Sequence, residues 1–369
     1  MNITAAVTRA TRSPMSLETL ELEAPRDDEI LVRVVAAGVC HTDIAMRDQA
    51  YPVPQPIVLG HEGAGIVEKA GSGVTGIVPG DHVVMSYNFC GTCPSCTAGA
   101  ATYCYDFFGR NFAGARADGT TPISGGNGTV HGNFFGQSSF ADFALCNVRN
   151  VVNVPKDVPL ELLGPLACGV QTGAGAVFNV LRMAAGASFA VFGAGSVGLS
   201  AVMAAVVAGA SPIIAVDPVE SRLALARELG ATHTVNPSQD NPSQEIVRLT
   251  GAGVDFALEA TGIPAVIRQA VESLAPRGLC GIVGAAPAGS EMTLDVLHLM
   301  TAGRTLRGIV EGDANPKAFI PVLIDLYRNG RFPFDKLIRF YPFDRVNEAI
   351  DDAESGRVVK PVLRMSHAT

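Results

Sequence analysis

The chain has 369 residues, of which 48% are hydrophobic and 17% are charged, a composition that allows a sizeable buried core and argues against intrinsic disorder. Its length favours two domains. The formal net charge is −8 and no run of Lys or Arg exceeds two residues, so the basic surface of a nucleic-acid-binding protein is not expected. The N-terminal residues lack the apolar segment of a signal peptide, and the expected compartment is the cytoplasm.

The first third of the chain has the pattern of short strands separated by turns. β-Branched and apolar runs predict strands at Ile30–Ala36, Ala64–Val67 and His82–Ser86, each bounded by Gly, Pro or Asp. The segment Phe107–Ser139 is rich in Gly and Asn and has weak periodicity, so we expect it to be mostly loop.

From about Gly173 onward, strand-like and helix-like segments alternate. The predicted strands are Ser188–Phe192, Ile213–Val216, Thr232–Val235, Val254–Leu258, Leu279–Val283 and Thr305–Ile309. The predicted helices are Ser196–Ala208, Glu220–Leu229, Pro264–Leu274, Lys317–Arg328 and Asp344–Glu354. This alternation predicts a parallel sheet with helices on both faces.

One long apolar segment, Met183–Val216, has no charged residue over 34 positions and therefore resembles a membrane span. It also contains five glycines and a proline. A buried parallel strand followed by a packed helix explains the same composition. We therefore predict that the chain does not cross a membrane.

Four cysteines lie within 15 residues, in the pattern Cys90-x2-Cys93-x2-Cys96-x7-Cys104. Without a signal peptide, clustered cysteines indicate metal ligands before disulfides. Four thiolates can surround one tetrahedral zinc ion in a closed structural site. The alternatives are an iron–sulfur cluster and a group of buried free thiols. We predict a structural zinc lobe at about residues 88–106 that does no chemistry itself.

Three scattered residues are candidates for a second metal site. Cys40 and His61 each follow an apolar run, and Cys168 lies just before the alternating part of the chain. A Cys2His set is the ligand set of a catalytic zinc with one open position. Taken singly, a buried cysteine or a single histidine is more often structural. Spacing alone does not establish that the three side chains meet.

A glycine-rich motif, Gly193-Ala194-Gly195-Ser196-Val197-Gly198, follows a predicted strand and opens a predicted helix, which is the context of a dinucleotide-binding loop. Gly193 would form the tight turn, Gly195 would allow close approach of the pyrophosphate, and Gly198 would allow close helix–strand packing. Asp217 ends the next strand, 19 residues after Gly198. An acid there binds the adenosine ribose and repels a 2′-phosphate, so NAD is expected rather than NADP.

From Cys40 to Lys360 the chain resembles the zinc-dependent medium-chain alcohol dehydrogenases. The resemblance rests on Gly38-Val39-Cys40-His41-Thr42-Asp43, Gly60-His61-Glu62-Gly63, the four-cysteine lobe and the glycine-rich motif, in that order and spacing. Within the family, residues 108–112, 135–140, 164–166 and 311–313 resemble those of aryl-alcohol (benzyl alcohol) dehydrogenases, and geraniol dehydrogenases share much of this pattern.

The resemblance implies an α/β fold with two domains. A GroES-like, β-rich catalytic domain is expected at residues 1–172 and 311–369, and a Rossmann domain with a doubly wound parallel sheet at residues 173–310. It also implies two zinc ions per chain and NAD as cofactor. The quaternary structure implied is a homo-oligomer, either a dimer or a tetramer.

The resemblance also assigns roles at the catalytic zinc. Cys40, His61 and Cys168 are implied ligands, and Glu62 stands beside the metal, able to approach it transiently. Asp43 is the implied acceptor for the other ring N–H of His61, which fixes the tautomer of the imidazole.

Further roles are implied for the residues near the cofactor and the substrate. His41 and Lys360 are expected to hold the pyrophosphate, and Arg222 stands where the family has a basic side chain beside the ribose. Thr42 is the implied first proton acceptor. Many members have a histidine three residues after this threonine, whereas this chain has Ala45, so water is the expected final acceptor.

The expected activity is the reversible oxidation of an aryl or allylic primary alcohol to its aldehyde by hydride transfer, with zinc as Lewis acid. A geraniol or broad-range primary alcohol dehydrogenase is the alternative. A zinc-bearing nucleic-acid module would not explain the glycine-rich motif. A zinc-free quinone reductase would not need the Cys40, His61 and Cys168 set, and polyol dehydrogenases usually have Glu-Pro where this chain has Cys168.

Overall fold

The computed structural model describes residues 1–125 and 128–366, which form two compact units. The first unit contains Met1–Cys168, Asn315–Val322 and the chain from Asp335 onward. The second contains Gly169–Ala314 and Leu323–Phe334. The first unit thus includes most of the predicted catalytic domain, and the second includes most of the predicted Rossmann domain.

Two sheets form the first unit within the described residues. In spatial order, the smaller sheet has the strands Ile57–Val58, Asn2–Thr8, Ser16–Leu22, Ile123–Gly125 and Gly128–Thr129. The larger sheet has the strands Val151–Asn153, His82–Met85, Glu62–Ala70, Glu29–Gly38, Lys360–Arg364 and Ile338–Pro342, and Phe143–Asn147 also pairs with Glu29–Gly38. Helices of this unit include His41–Arg47, Pro94–Thr97, Phe107–Phe112 and Val346–Glu354.

The strand Glu29–Gly38 is the central strand of the larger sheet and is buried along nearly its whole length. Its run of Val, Ile and Leu suits this position because neighbouring strands and core side chains surround it. Gly38, at its end, pairs with Glu62 on one side and Val362 on the other. Residues of three strands that are distant in sequence therefore lie side by side just before Cys40.

The second unit contains a six-stranded parallel sheet in the described residues. In spatial order its strands are His233–Val235, Ile213–Val216, Phe189–Phe192, Val254–Glu259, Leu274–Ile282 and Thr305–Gly308. The helices of this unit include Gly169–Gly175, which continues as the π-helical turn Ala176–Leu181. They also include Ser196–Ala208, Glu220–Glu228, Pro242–Thr250, Pro264–Glu272, Val296–Thr301 and the second half of Pro316–Arg328, whose first half belongs to the first unit. This strand order is that of a doubly wound dinucleotide-binding sheet.

The uncharged segment Met183–Val216 forms two adjacent, fully buried strands and the helix Ser196–Ala208 between them. Burial of the strands explains the lack of charge, as the sequence predicts. No helix in the described part of the chain is long and apolar enough to span a bilayer.

Most predicted elements are present within two or three residues of their expected ends. Two differ more. The helix Phe107–Phe112 lies within the segment predicted to be mostly loop, of which residues 126–127 are outside the described part. The strand Leu274–Ile282 begins before the predicted Leu279, because Leu274 already pairs with Val254; the pairing is interrupted at Arg277, which has a φ of 67°, and resumes at Leu279.

Candidate active site

The structure brings Cys40, His61, Glu62 and Cys168 together in the first unit. One potential ligand atom of each lies within 4.8 Å of those of the other three. Cys40 follows the strand Glu29–Gly38, and His61 comes directly before the strand Glu62–Ala70. Cys168 directly follows the 3-10 turn Gly164–Ala167. The spatial grouping that spacing left open is therefore present.

Asp43 connects the segments that carry two of these side chains. One carboxylate oxygen, Oδ1, lies 2.9 Å from His61 Nδ1 and accepts the backbone N–H of Gly60 at 3.0 Å. The other, Oδ2, accepts the backbone N–H of Cys40 at 3.0 Å. Asp43 is fully buried. It therefore orients the imidazole so that Nε2 is the atom left for a metal.

Nε2 of His61 is buried and has no hydrogen-bond partner among the described residues. Leaving such an atom unsatisfied costs about 1–3 kcal/mol, and coordination to a metal would remove this cost. The hydrogen bond with Cys168 and the charge of Lys360 act against burial, and the pKa of Cys40 is lowered well below its usual range. This favours the thiolate, which is the form that binds metal. The donor set of two sulfurs and one imidazole suits zinc.

Glu62 and Lys360 form a buried ion pair beside this set. Lys360 Nζ lies 2.9 Å from both carboxylate oxygens of Glu62 and also donates to the carbonyl of Val39 at 3.2 Å. The pair crosses the end of the strand Glu29–Gly38. A Cβ at Gly38 would lie 2.1 Å from Oε2 of Glu62, so only glycine leaves room for the pair.

Aromatic rings surround His61. The ring of Phe135 lies 4.6 Å from the imidazole at an interplanar angle of 32°, and Phe134 makes an edge contact at 5.7 Å. Phe112 contacts both of these phenylalanines, and Phe107 contacts Phe135. The helix Phe107–Phe112 thus extends a wall of rings that begins at a metal-ligand candidate.

Thr42 and His41 begin the helix that follows Cys40. Thr42 Oγ1 is half-buried and lies 3.8 Å from Cys40 Sγ. His41 is exposed, and Ala45 is half-buried one turn further along. The hydroxyl of Thr42 is thus beside the candidate metal set, as its expected role as a proton acceptor requires.

The four cysteines of the predicted lobe also converge, with their sulfurs within 4.8 Å of one another. All four are free thiols. Cys90 Sγ accepts backbone N–H groups from Thr92 at 3.4 Å and from Cys93 at 3.2 Å. These bonds, that of Thr92 first, lower the pKa of Cys90 to about 5. The backbone around Cys90 is thus arranged to stabilise a thiolate at that position, the form in which a cysteine binds zinc.

In the second unit the glycine-rich motif joins the strand Phe189–Phe192 to the helix Ser196–Ala208. Gly193 has a φ of 95°, and a Cβ at Gly198 would lie 1.8 Å from the carbonyl oxygen of Gly193. At Gly195, in contrast, a Cβ would meet no described atom within 4 Å. Ser196 Oγ, at the helix N-terminus, is buried without a hydrogen-bond partner among the described residues. Open space beside Gly195 and an unsatisfied hydroxyl fit a phosphate group.

Asp217 follows the next strand and is buried against this loop. Its two carboxylate oxygens accept the backbone N–H groups of Ala194 and Val219, each at 2.8 Å. Arg222 NH1 lies 3.9 Å from Oδ2 of the same carboxylate. A carboxylate has about four acceptor positions, so these contacts leave capacity for ribose hydroxyls.

Comparison with known proteins identifies the family. Residues 26–156 match the alcohol dehydrogenase GroES-like domain, and residues 196–328 match the zinc-binding dehydrogenase domain. Geraniol dehydrogenase from Castellaniella defragrans is 45% identical over 361 residues, which are 97% of this chain and 96% of that protein. The chain belongs to the zinc-dependent medium-chain alcohol dehydrogenase family.

Two solved structures of the family are also similar over their whole length. An alcohol dehydrogenase zinc-binding domain protein from Burkholderia ambifaria is 55% identical, with a TM-score of 0.98 and full coverage of both chains. Benzyl alcohol dehydrogenase from Acinetobacter calcoaceticus is 50% identical, with a TM-score of 0.97, covering 99% of this chain and 100% of that one. These matches confirm the resemblance stated from the motifs, including its aryl-alcohol and geraniol branches.

Family membership confirms several predictions made from sequence. The chain is an oxidoreductase of the alcohol dehydrogenase type, its metal is zinc, and its fold combines a GroES-like domain with a Rossmann-like domain. The nucleic-acid module and the zinc-free reductase are excluded as interpretations. The role of Lys360 at the pyrophosphate stays a prediction, as does that of His41, and the structure adds the contact of Lys360 with Glu62.

Sequence reasoning did not single out Gln137. Its side-chain amide is buried and bonds to the backbone on both sides of Glu62, at His61 O and Gly63 N. The sequence did offer one sign of this role, which is that Gln137 lies among the small residues Gly136, Ser138 and Ser139. A long side-chain amide in such a tight loop is well placed to hydrogen-bond with backbone groups that have no partner in a helix or sheet.

Proposed function

We propose that this alcohol dehydrogenase oxidises aryl or allylic primary alcohols to aldehydes reversibly with NAD. In this proposal Cys40, His61 and Cys168 hold the catalytic zinc, and the four cysteines at 90, 93, 96 and 104 hold a structural zinc. The wall of rings next to His61 is the observation that supports an aryl or allylic substrate. Phe134 and Phe135 are themselves buried, so a flat, conjugated substrate would make edge-to-face and offset contacts with the partly buried rings of Phe107 and Phe112.

The chain's own residues would bind and orient the reacting groups. Asp43 fixes the His61 ring, and the Thr42 hydroxyl, next to Cys40, takes the substrate proton. Bound zinc supplies a Lewis acid that lowers the pKa of the alcohol, and bound NAD supplies a hydride acceptor. With Ala45 after Thr42 in place of a histidine, the proton is passed on to water.

A terpenoid alcohol is the second candidate substrate, supported by the geraniol dehydrogenase that is 45% identical over nearly the whole chain. Geraniol and benzyl alcohol are both primary alcohols whose aldehydes are conjugated. Conjugation makes the oxidation more favourable because the forming carbonyl gains resonance. The aromatic wall suits both, so a direct comparison of substrates decides between them.

The proposal predicts a ranking of kcat/KM with NAD among benzyl alcohol, geraniol, ethanol and sorbitol. We expect benzyl alcohol or geraniol to exceed ethanol and sorbitol by about 10-fold or more, since one good apolar contact is worth about 1–3 kcal/mol. Higher kcat/KM for ethanol or sorbitol than for benzyl alcohol would refute the aromatic substrate class.

Cofactor choice should depend on Asp217. Replacing it with glycine should lower kcat/KM for NAD by about 10-fold or more, because a hydrogen bond to a charged group contributes about 1.5–3 kcal/mol. NADP use should rise, since the charge that repels a 2′-phosphate is gone. Because Asp217 also holds Ala194 and Val219, Asp217→Asn serves as the control that removes the charge and keeps one acceptor. A wild-type enzyme that already prefers NADP would show that this assignment of Asp217 is wrong.

A further inference from the structure

The side chain of Gln137 lies at the centre of a buried hydrogen-bond network beside the proposed zinc site. Its carbonyl oxygen accepts the N–H of Gly63 at 3.1 Å. Its amide nitrogen donates to the carbonyls of His61 and Met85, each at 2.9 Å, with a longer contact of 3.3 Å to that of Ser86. The amide therefore satisfies the backbone of two neighbouring strands at once.

We call the loop at residues 133–140, which contains Gln137, the histidine clamp. It runs alongside the segment that leads to His61. Ser138 Oγ donates to the carbonyl of Val58 at 2.7 Å. The backbone N–H of Ser139 donates to Gly60 O at 2.9 Å, and that of Phe140 donates to Leu59 O at 3.0 Å. Together with Gln137, these bonds hold every carbonyl from residue 58 to residue 61.

The histidine clamp also contacts the imidazole itself, through Phe134 and Phe135. Asn133, Phe135, Gly136 and Ser138 have φ values of 62°, 50°, 65° and 54°. A non-glycine residue in this region costs of order 1–3 kcal/mol and persists only where the surroundings determine it. The shape of this loop is thus maintained against a conformational cost, next to a proposed metal ligand.

The network continues from Gln137 to a second proposed ligand. Ser86, whose carbonyl accepts the long contact from Gln137, donates its own hydroxyl to the carbonyl of Ala167 at 2.7 Å. Ala167 directly precedes Cys168. His61 and Cys168 are therefore both tied by hydrogen bonds to the end of the strand His82–Met85.

We propose that Gln137 is a positioning residue that fixes the separation of His61 and Cys168, and thereby governs how long the catalytic zinc is retained. This inference rests on the proposed function, which makes these two residues zinc ligands. Partners that orient metal ligands typically change metal affinity or activity by about 10- to 100-fold when they are removed. Gln137 would position His61 through its backbone, whereas Asp43 positions His61 through its imidazole ring.

The test is the rate at which zinc passes from the purified holoenzyme to an excess of a colorimetric chelator. Gln137→Met keeps the length of the side chain and removes its hydrogen bonds. We expect it to release the catalytic zinc about 10- to 100-fold faster than wild type, with the four-cysteine zinc unaffected. Ser86→Ala, which removes the hydroxyl bond to Ala167, should accelerate release about 3- to 10-fold, as expected for one ordinary hydrogen bond.

Two matched variants control for general destabilisation. Asn347 accepts the backbone N–H of Met15 at 2.8 Å and donates to the carbonyl of Met15 at 2.9 Å. Because these bonds are with Met15 and not with the segments that carry His61 and Cys168, Asn347→Leu should leave zinc release unchanged. Ser273 is buried and donates to Ala270 O at 2.8 Å in the second unit, so Ser273→Ala is the control for Ser86→Ala.

The outcomes separate this inference from the proposed function. A wild type with a single zinc, held in the cysteine lobe, would contradict the proposed function itself. A wild type with two zincs whose release is the same in Gln137→Met, or is accelerated equally by Asn347→Leu, would overturn the positioning role alone. Should Gln137→Met not fold, the Ser86→Ala and Ser273→Ala pair decides the question.

Discussion

Brief treatment with a small bidentate chelator such as 1,10-phenanthroline should abolish alcohol oxidation and leave about one zinc per chain and the fold intact. In the proposed site, Cys40, His61 and Cys168 supply three protein ligands, so an open position would remain for a chelator to attack. The proposed structural site in the cysteine lobe would have four thiolate ligands and no open position. Cys90, Cys93 and Cys96 are only partly buried, but closed coordination by four sulfurs should still protect the metal from the chelator.

Zinc content, activity and circular dichroism measured on the same treated sample check this expectation. Adding zinc back should restore the rate, because the ligands are still positioned by Asp43 and the surrounding sheet. Simultaneous loss of both metals with unfolding would contradict the separate roles of the two sites. Full activity in a sample with one zinc would contradict the assignment of Cys40, His61 and Cys168.

Replacing Thr42 with alanine should lower kcat for alcohol oxidation by about 100-fold or more. The Thr42 hydroxyl lies 3.8 Å from Cys40 Sγ and is the proposed first acceptor of the substrate proton. Alanine keeps the helix His41–Arg47, since a methyl group replaces a half-buried side chain. The substrate would then have to lose its proton directly to water, because the hydroxyl that serves as the ordered acceptor is gone.

Thr42→Ser, which restores the hydroxyl, should recover most of the rate, and this comparison separates proton transfer from packing. Steady-state kcat and the solvent deuterium isotope effect are the measurements. A near-normal kcat in Thr42→Ala would show that another group takes the proton. His41, the adjacent residue and exposed in the structure, would then be the next side chain to replace.

Local sequence patterns were sufficient for the parallel sheet. The strand Ile213–Val216 and the helix Ser196–Ala208 have the predicted bounds, because Pro212 and Asp217 limit an apolar run and Gly209 ends a helix with a φ of 78°. The strand Leu274–Ile282 was predicted too short because Pro276, Arg277 and Gly278 have the composition of a turn. These residues do form an irregularity, at which Arg277 has a φ of 67°, but Leu274 before it still pairs with Val254, so the strand begins earlier than predicted.

The sequence predicted those residues of the candidate site that belong to recognisable motifs. The convergence of Cys40, His61 and Cys168 could be expected only by resemblance, since it depends on strand register. The contact of Glu62 with Lys360 joins positions 298 residues apart, and no local pattern encodes it. The bonds of Gln137 to the His61 segment span more than 70 residues, and its loop has no periodicity from which its contacts could be inferred.

The absence of a side chain at Gly38 has a consequence for how this enzyme can evolve. A lineage that acquires even an alanine there must displace the carboxylate of Glu62, and Lys360 would then be buried without its counter-charge. The lysine would have to be exchanged next, because an unpaired buried ammonium is strongly destabilising. Among descendants of this chain, the three positions should therefore vary as a group, although more than 300 residues separate the first from the last.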